Sequence, residues 1–109
     1  MWPDIAPFAW PALLKCGVCG ALIGLERQLR GKPVGIRTST LIIVGTYCFI
    51  TLGRTLSDNN ADIARVMAQV ITGIGFLGAG VMMNRDGQIH GVTSAAVVWM
   101  LAALGVTIG

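Results

Sequence analysis

The sequence predicts an all-α polytopic membrane protein of four transmembrane helices, and three observations carry that reading. Charged residues are only 12% of the 109 positions while hydrophobic residues are 54%, and the mean hydropathy is +0.73. A soluble domain carries about 25% charged residues, so this chain cannot cover a polar surface. The charges are gathered in short connectors and leave apolar runs close to the ~20 residues that cross a hydrocarbon core. With so little chain between the runs, backbone polar groups have to be satisfied inside helices.

The helices are expected at about 5–25, 39–56, 63–83 and 92–109, with 1–109 as a single transmembrane domain. The first is most apolar over 8–25 and carries Gly17, Gly20, Ala21 and Gly24 on one narrow stripe, including the step Gly20-x-x-x-Gly24. Membrane helices associate by close backbone approach at such small residues. The second helix follows Thr38 and Ser39, whose hydroxyls suit an N-cap. The third has two glycine seams: Gly73 and Gly80 share a face with Gln69, while Gly75 and Gly78 point the other way. That makes it the expected packing centre. The fourth begins near Thr93 and Ser94, a second pair of N-cap candidates, and offers Ala95, Trp99 and Ala102 as a contact stripe.

Orientation follows from the connectors. The first holds Arg27, Arg30, Lys32 and Arg37 against Glu26, the second is acidic (Asp58, Asp62) but flanked by Arg54 and Arg65, and the third holds Arg85, Asp86 and His90. Lysine and arginine collect on the cytoplasmic side, so both termini are expected to be periplasmic. A weak repeat at an offset of 56 residues places Gly17, Gly24, Gly31 and Gly35 on Gly73, Gly80, Gly87 and Gly91. Helices one and two would then repeat as three and four, in parallel topology.

Several motifs resolve to packing. The run from Gly73 to Gly78 spells G-x-G-x-x-G, but a dinucleotide site needs a strand before it and a helix opening at it. Here the glycines lie inside an apolar stretch. The segment from Asp58 to Asp62 begins like a calcium loop, but Ile63 and Gln69 stand where glycine and glutamate are required. It reads as a solvated turn capping the next helix. Cys16 and Cys19 form C-x-x-C within an apolar helix, where cysteine acts as a small hydrophobe; Cys48 is likewise in an apolar run, so no disulfide framework is expected.

Two places resist that reading. Lys15 lies within the first helix, where a central lysine costs ~2.5–3.5 kcal/mol on insertion scales, so it is a functional candidate by default. Glu26 ends the same helix, where a carboxylate opposes the dipole unless paired; Arg27, Arg30 or Arg37 could pair it, and Arg37 is the expected partner, with Arg27 as the alternative. No catalytic constellation, metal-ligand spacing or cofactor motif is present. There is no basic face for nucleic acid, and no cleavable signal peptide is evident. The chain is therefore read as not an enzyme.

The same residues carry a family resemblance. Residues 20–28 and 31–38 (including Gly24, Glu26, Arg27, Arg37 and Thr38), then 70–81 with its glycines, then 91–96 with Trp99 and 102–105 resemble three successive signatures of the MgtC/SapB membrane proteins. The resemblance implies a bacterial inner-membrane protein linked to survival under magnesium limitation and to virulence in pathogens. It implies a regulator of other membrane proteins, ATP synthase and sensor or transport proteins among them, and a periplasmic N-terminus. It also implies a fifth helix and often a cytoplasmic C-terminal domain, beyond the four helices read here.

The leading functional expectation is a non-enzymatic modulator that meets its partners, and further copies of itself, through glycine-lined helix faces in the bilayer. The rival is an oligomeric transporter of a small ion or solute, Mg2+ included, with Lys15, Glu26, Gln69 and Thr72 along its path. A purely dimerising scaffold is a third reading.

Overall fold

A computed structural model describes residues 8–32, 34–56, 59–82 and 92–109. Pro11, in the first turn of α1 (Trp10–Leu29), stands where its missing N–H costs nothing. Ala9 is extended just before it, and its amide donates to the Tyr47 hydroxyl at 3.0 Å, tying the start of α1 to α2 (Ile36–Leu56). A left-handed turn at Gly31 (φ 66°) closes α1. There the Gly31 amide donates to the Gln28 carbonyl and the Lys32 amide to the Arg27 carbonyl, which satisfies two end carbonyls of the helix. Asn59 opens α3 (Asn60–Met82) by accepting the Ala61 amide on its side-chain oxygen at 2.9 Å. The last helix is α4 (Val92–Ile108).

Several boundaries differ from expectation: α1 begins at Trp10 against an expected start of about 5, and α3 at Asn60 against about 63. Helix α1 runs on past residue 25 to Leu29, because Glu26 and Arg30 form an i,i+4 pair that carries it another turn. Helix α2 begins at Ile36, so Thr38 and Ser39 lie inside its first turn and do not cap it. Ser39 instead donates from Oγ to the Val34 carbonyl at 3.2 Å. Thr93 and Ser94 likewise fall inside α4, and the buried Ser94 hydroxyl has no partner among the described residues.

All described elements are helical. Two helices, α2 and α3, are long and apolar enough to cross a membrane, and α4 is a shorter apolar helix. The packing centre is not α3. Helices α2 and α4 each touch every other helix, while α1 and α3 flank them and do not touch each other. The core accordingly gathers Ile42, Ile43 and Tyr47 of α2 against Val98, Leu101 and Ala102 of α4, with Cys16 of α1 and Ile74 of α3 at its sides.

Small residues set these approaches, though not all the expected ones. A Cβ on Gly20 would lie 2.8 Å from the Thr40 Cα, and one on Gly24 would lie 2.5 Å from the Ile36 Cα, so the predicted Gly20-x-x-x-Gly24 step is the α1–α2 contact. Gly17, on the same stripe, faces nothing within 4 Å. On α3 only one seam is filled: Gly75 and Gly78 meet Trp99 and Ala95 of α4 at about 4 Å, while Gly73 and Gly80 face open space. The closest α2–α4 approach is at Gly105, where a side chain would overlap Thr46 and come 2.5 Å from the Ile43 carbonyl. Gly105 extends the expected Ala95–Ala102 stripe by one turn at helical spacing. The packing does not confirm the proposed repeat: Gly24 closes on Gly35 and Ile36, while Gly80 meets nothing within 4 Å among the described residues, and Gly91, the counterpart of Gly35, lies outside them.

Candidate functional site

Two places on the molecule are candidates for function: the charged turn joining α1 to α2, and a mostly apolar cleft between α2 and α3 that Arg65 and Gln69 border. The turn is built by the end of α1. Glu26 lies one residue past the apolar run and takes two guanidiniums at once. Arg27 donates from Nε and Nη2 at 2.7 and 3.0 Å, and Arg30 pairs from Nε at 2.7 Å. The hydrogen bonds from Arg27 are the main reason the Glu26 carboxyl is held below its ordinary range, with Arg30 adding to the effect. Arg27 is 9% exposed, so its charge is covered by protein on most sides and compensated by this carboxylate.

The expected Glu26–Arg37 pair is thus overturned. Arg27 bends back onto its own neighbour, Arg30 arrives from the next turn, and Arg37 stays exposed on the first turn of α2. Gln28, and Ser39 in a role other than the N-cap expected of it, hold the turn instead. Gln28 accepts the Ile36 amide on Oε1 at 3.3 Å, and Ser39 holds the Val34 carbonyl. Val34 needs such support, because it is buried with φ 69°, a left-handed conformation that a β-branched residue adopts only under constraint. Ser39, placed one turn into α2 beside this carbonyl, was the only sequence signal for it.

The cleft between α2 and α3 has a volume of about 670 Å³ and is lined by Thr46 and Phe49 of α2 and by Arg65, Gln69, Gly73 and Leu77 of α3, among others. A second space of about 370 Å³ shares Thr46, Phe49, Ile74 and Leu77 with it and continues to Thr38 and Val81. Gln69 therefore faces a mostly apolar groove. Thr72 is exposed and satisfies its hydroxyl on the Ala68 carbonyl at 3.0 Å. Lys15 is exposed on α1 and makes no ion pair among the described residues. Since α1 and α3 do not touch, one copy of the chain does not bring Lys15 and Glu26 together with Gln69 and Thr72.

The remaining motifs sit as follows. Gly73, Gly75 and Gly78 lie inside one continuous helix, with no strand before them. Asp62 pairs with Arg65 at 3.3 Å on the surface of α3. Asp58, Arg85, Asp86, Gly87, His90 and Gly91 lie outside the described residues. Cys16 is buried, Cys19 and Cys48 are half-buried, and all three are free thiols. Among the described residues no group of three His, Cys, Asp or Glu could hold a metal ion.

Helices of membrane-crossing length, small-residue contacts and a charged turn at one end define an all-helical membrane protein. Residues 13–109 match the MgtC family, and the chain belongs to that family. It is 41% identical over 111 aligned residues to the "Putative magnesium transporter YhiD" of Escherichia coli K12, covering 95% of this chain and 51% of that protein. It is 38% identical over 109 residues to the protein MgtC of Brucella abortus strain 2308, covering 100% of this chain and 45% of the relative. With the protein MgtC of Salmonella typhimurium strain LT2 the identity is 42% over 97 residues, covering 89% and 41%. The chain thus spans about half the length of the curated relatives it matches. No solved structure matches it.

Proposed function

We propose that this chain acts as a non-enzymatic, four-span inner-membrane modulator of other membrane proteins during adaptation to low magnesium, with a role in virulence where the bacterium that carries it is a pathogen. The observation that carries the reading is the open seam on α3. Gly73 and Gly80 share one face of that helix and meet nothing within 4 Å among the described residues, Gly73 bordering the cleft towards α2. Only 11% of the apolar stretch of α3 is buried, against 33% for α2. In lipid, a small-residue face is what another helix packs against. The seam accordingly serves a partner protein or a second copy of the chain, and the protein works as a homo-oligomer in contact with membrane partners. The turn carrying Arg27, Arg30, Lys32 and Arg37 faces the cytoplasm and both ends of the chain face the periplasm.

The test introduces bulk on the open seam. Gly73→Leu and Gly80→Leu should leave detergent stability unchanged, because their side chains enter open space. They should abolish self-crosslinking in membranes and growth support at low magnesium. Wild-type growth and crosslinking in both variants would refute the seam as the working surface.

The name carried by the Escherichia coli relative supports a second reading, an oligomeric transporter of Mg2+ or another small ion or solute with Gln69 along its path. Purified protein in liposomes distinguishes the two. Mg2+ flux that Gln69→Leu abolishes would replace the modulator with the transporter.

A further inference from the structure

The charged turn and the outer faces below it have a combined chemistry that neither the packing nor the proposed function uses. Arg30, Lys32 and Arg37 are all exposed, and they come to one end of the bundle because Gly20 and Gly24 clamp α1 on Thr40 and Ile36. Glu26 is the sole acidic residue between positions 8 and 56. Its carboxylate is already shared between Arg27 and the Nε of Arg30. The outer nitrogens of Arg30, the Lys32 ammonium and the Arg37 guanidinium therefore meet no carboxylate of this chain among the described residues.

Directly below these cations the surface turns apolar. Leu22, Leu25 and Leu29 lie at i, i+3 and i+7 on α1 with 66%, 42% and 77% exposure. Leu41, one turn beyond Arg37 on α2, is 66% exposed. An exposed leucine track on α1 and Leu41 on the adjacent α2 thus lead up to the cationic turn. The cluster is also preshaped, since the Lys32 amide is held on the Arg27 carbonyl at 2.9 Å and the Ile36 amide on Gln28.

We propose that this end of the α1–α2 hairpin is a binding site for an anionic phospholipid. The phosphate sits among Arg30, Lys32 and Arg37, and the acyl chains lie along the leucines of α1 and Leu41 of α2. Charge complementarity selects the headgroup. Arginine forks and a lysine at the membrane surface attract anionic lipid, and the exposed leucines require that the anion carry hydrocarbon. A soluble phosphate would satisfy only the upper half of the site, and an acidic protein segment would leave the leucine tracks unused. The inference uses the membrane location of the hairpin and is independent of whether the protein modulates or transports.

The test titrates phosphatidylglycerol or phosphatidylcholine into the protein in detergent micelles and reads the unfolding temperature and the lipid retained in native mass spectrometry. Phosphatidylglycerol should raise the unfolding temperature saturably and remain bound in a fixed number of copies, while phosphatidylcholine should do neither. Lys32→Gln with Arg37→Gln removes two cations that take no part in the Glu26 pairs, so folding is retained. It should weaken phosphatidylglycerol binding more than tenfold. Arg54→Gln with Arg65→Gln, at the other end of the bundle, should bind as the wild type does. Equal effects of the two lipids, an unaltered response in the Lys32 and Arg37 variant, or an equal shift from inorganic phosphate alone would each overturn the proposal. So would displacement of the lipid by an acidic peptide that then supports the same stabilisation.

Discussion

Gly24→Ala adds one methyl group at the tightest point between α1 and α2. The new carbon would stand 2.5 Å from the Ile36 Cα, 2.7 Å from the Ile36 nitrogen and 2.9 Å from the Gly35 carbonyl carbon, all backbone atoms. None can rotate away as a side chain could. Carbon atoms rest at about 3.5–4.0 Å, so the helices must part by ~1 Å at this level, loosening the Gly20–Thr40 contact one turn away. Overpacking of this kind costs about 1–3 kcal/mol, while alanine recovers ~1 kcal/mol of helix propensity over glycine. The net expectation is a loss of up to ~2 kcal/mol, centred near ~1 kcal/mol, or roughly a fivefold shift in the unfolding equilibrium. Gly17→Ala is the internal control, since its added methyl meets nothing within 4 Å and leaves only the propensity gain. Reversible denaturant titration in mixed micelles measures both variants. If Gly24→Ala unfolds at the wild-type midpoint, or Gly17→Ala falls as far as Gly24→Ala, the close-approach argument is refuted.

Three further outcomes are expected. Ser94 is buried with an unpartnered hydroxyl, so Ser94→Ala should be neutral or stabilising by up to ~1 kcal/mol in the same titration; a clear loss would show that the hydroxyl has a partner in the membrane. The Glu26 carboxyl is held below its ordinary value of 4.5, so its pairing stabilises the fold above that pH and the benefit disappears as pH falls through the lowered value. Unfolding midpoints should therefore drop in acid for the wild type and show a smaller drop in Glu26→Gln; parallel pH profiles would exclude a stabilising role for the pair. Finally, single cysteines at Lys32 and Asn60, in a background without native thiols, should differ towards an impermeant maleimide in intact cells. Labelling at Asn60 alone fits a cytoplasmic α1–α2 turn, and labelling at Lys32 reverses the orientation.

What the sequence could specify was whatever depends on local composition and spacing. Four apolar stretches separated by polar connectors anticipated four helices, and the asparagine-rich turn before α3 acts as the cap its composition suggested, through Asn59. The Gly20-x-x-x-Gly24 step was legible because a single helix face displays it whole, and both glycines do close on α2. Helix ends were less legible. Apolar content falls off at Glu26, yet the helix continues because the Glu26–Arg30 pair works at helical spacing regardless of hydropathy.

Which faces meet was decided only by the tertiary structure. Both seams of α3 look alike in sequence, but Trp99 and Ala95 fill the Gly75–Gly78 side and leave Gly73 and Gly80 open. Whether a glycine is a contact or a vacancy depends on the helix opposite it, and spacing within one helix carries no information about that helix. The charged turn follows the same rule. Residue types announced that Glu26 would be paired, but its choice of Arg27 and Arg30 over Arg37 required the side-chain geometry. The support of Val34 by Ser39 and of Ile36 by Gln28 joins groups 5 and 8 residues apart across a change of helix. Helical periodicity ends at the turn, so the Gln28–Ile36 bond forms only when the end of α1 and the start of α2 come together, and the Ser39–Val34 bond depends on the left-handed turn at Val34.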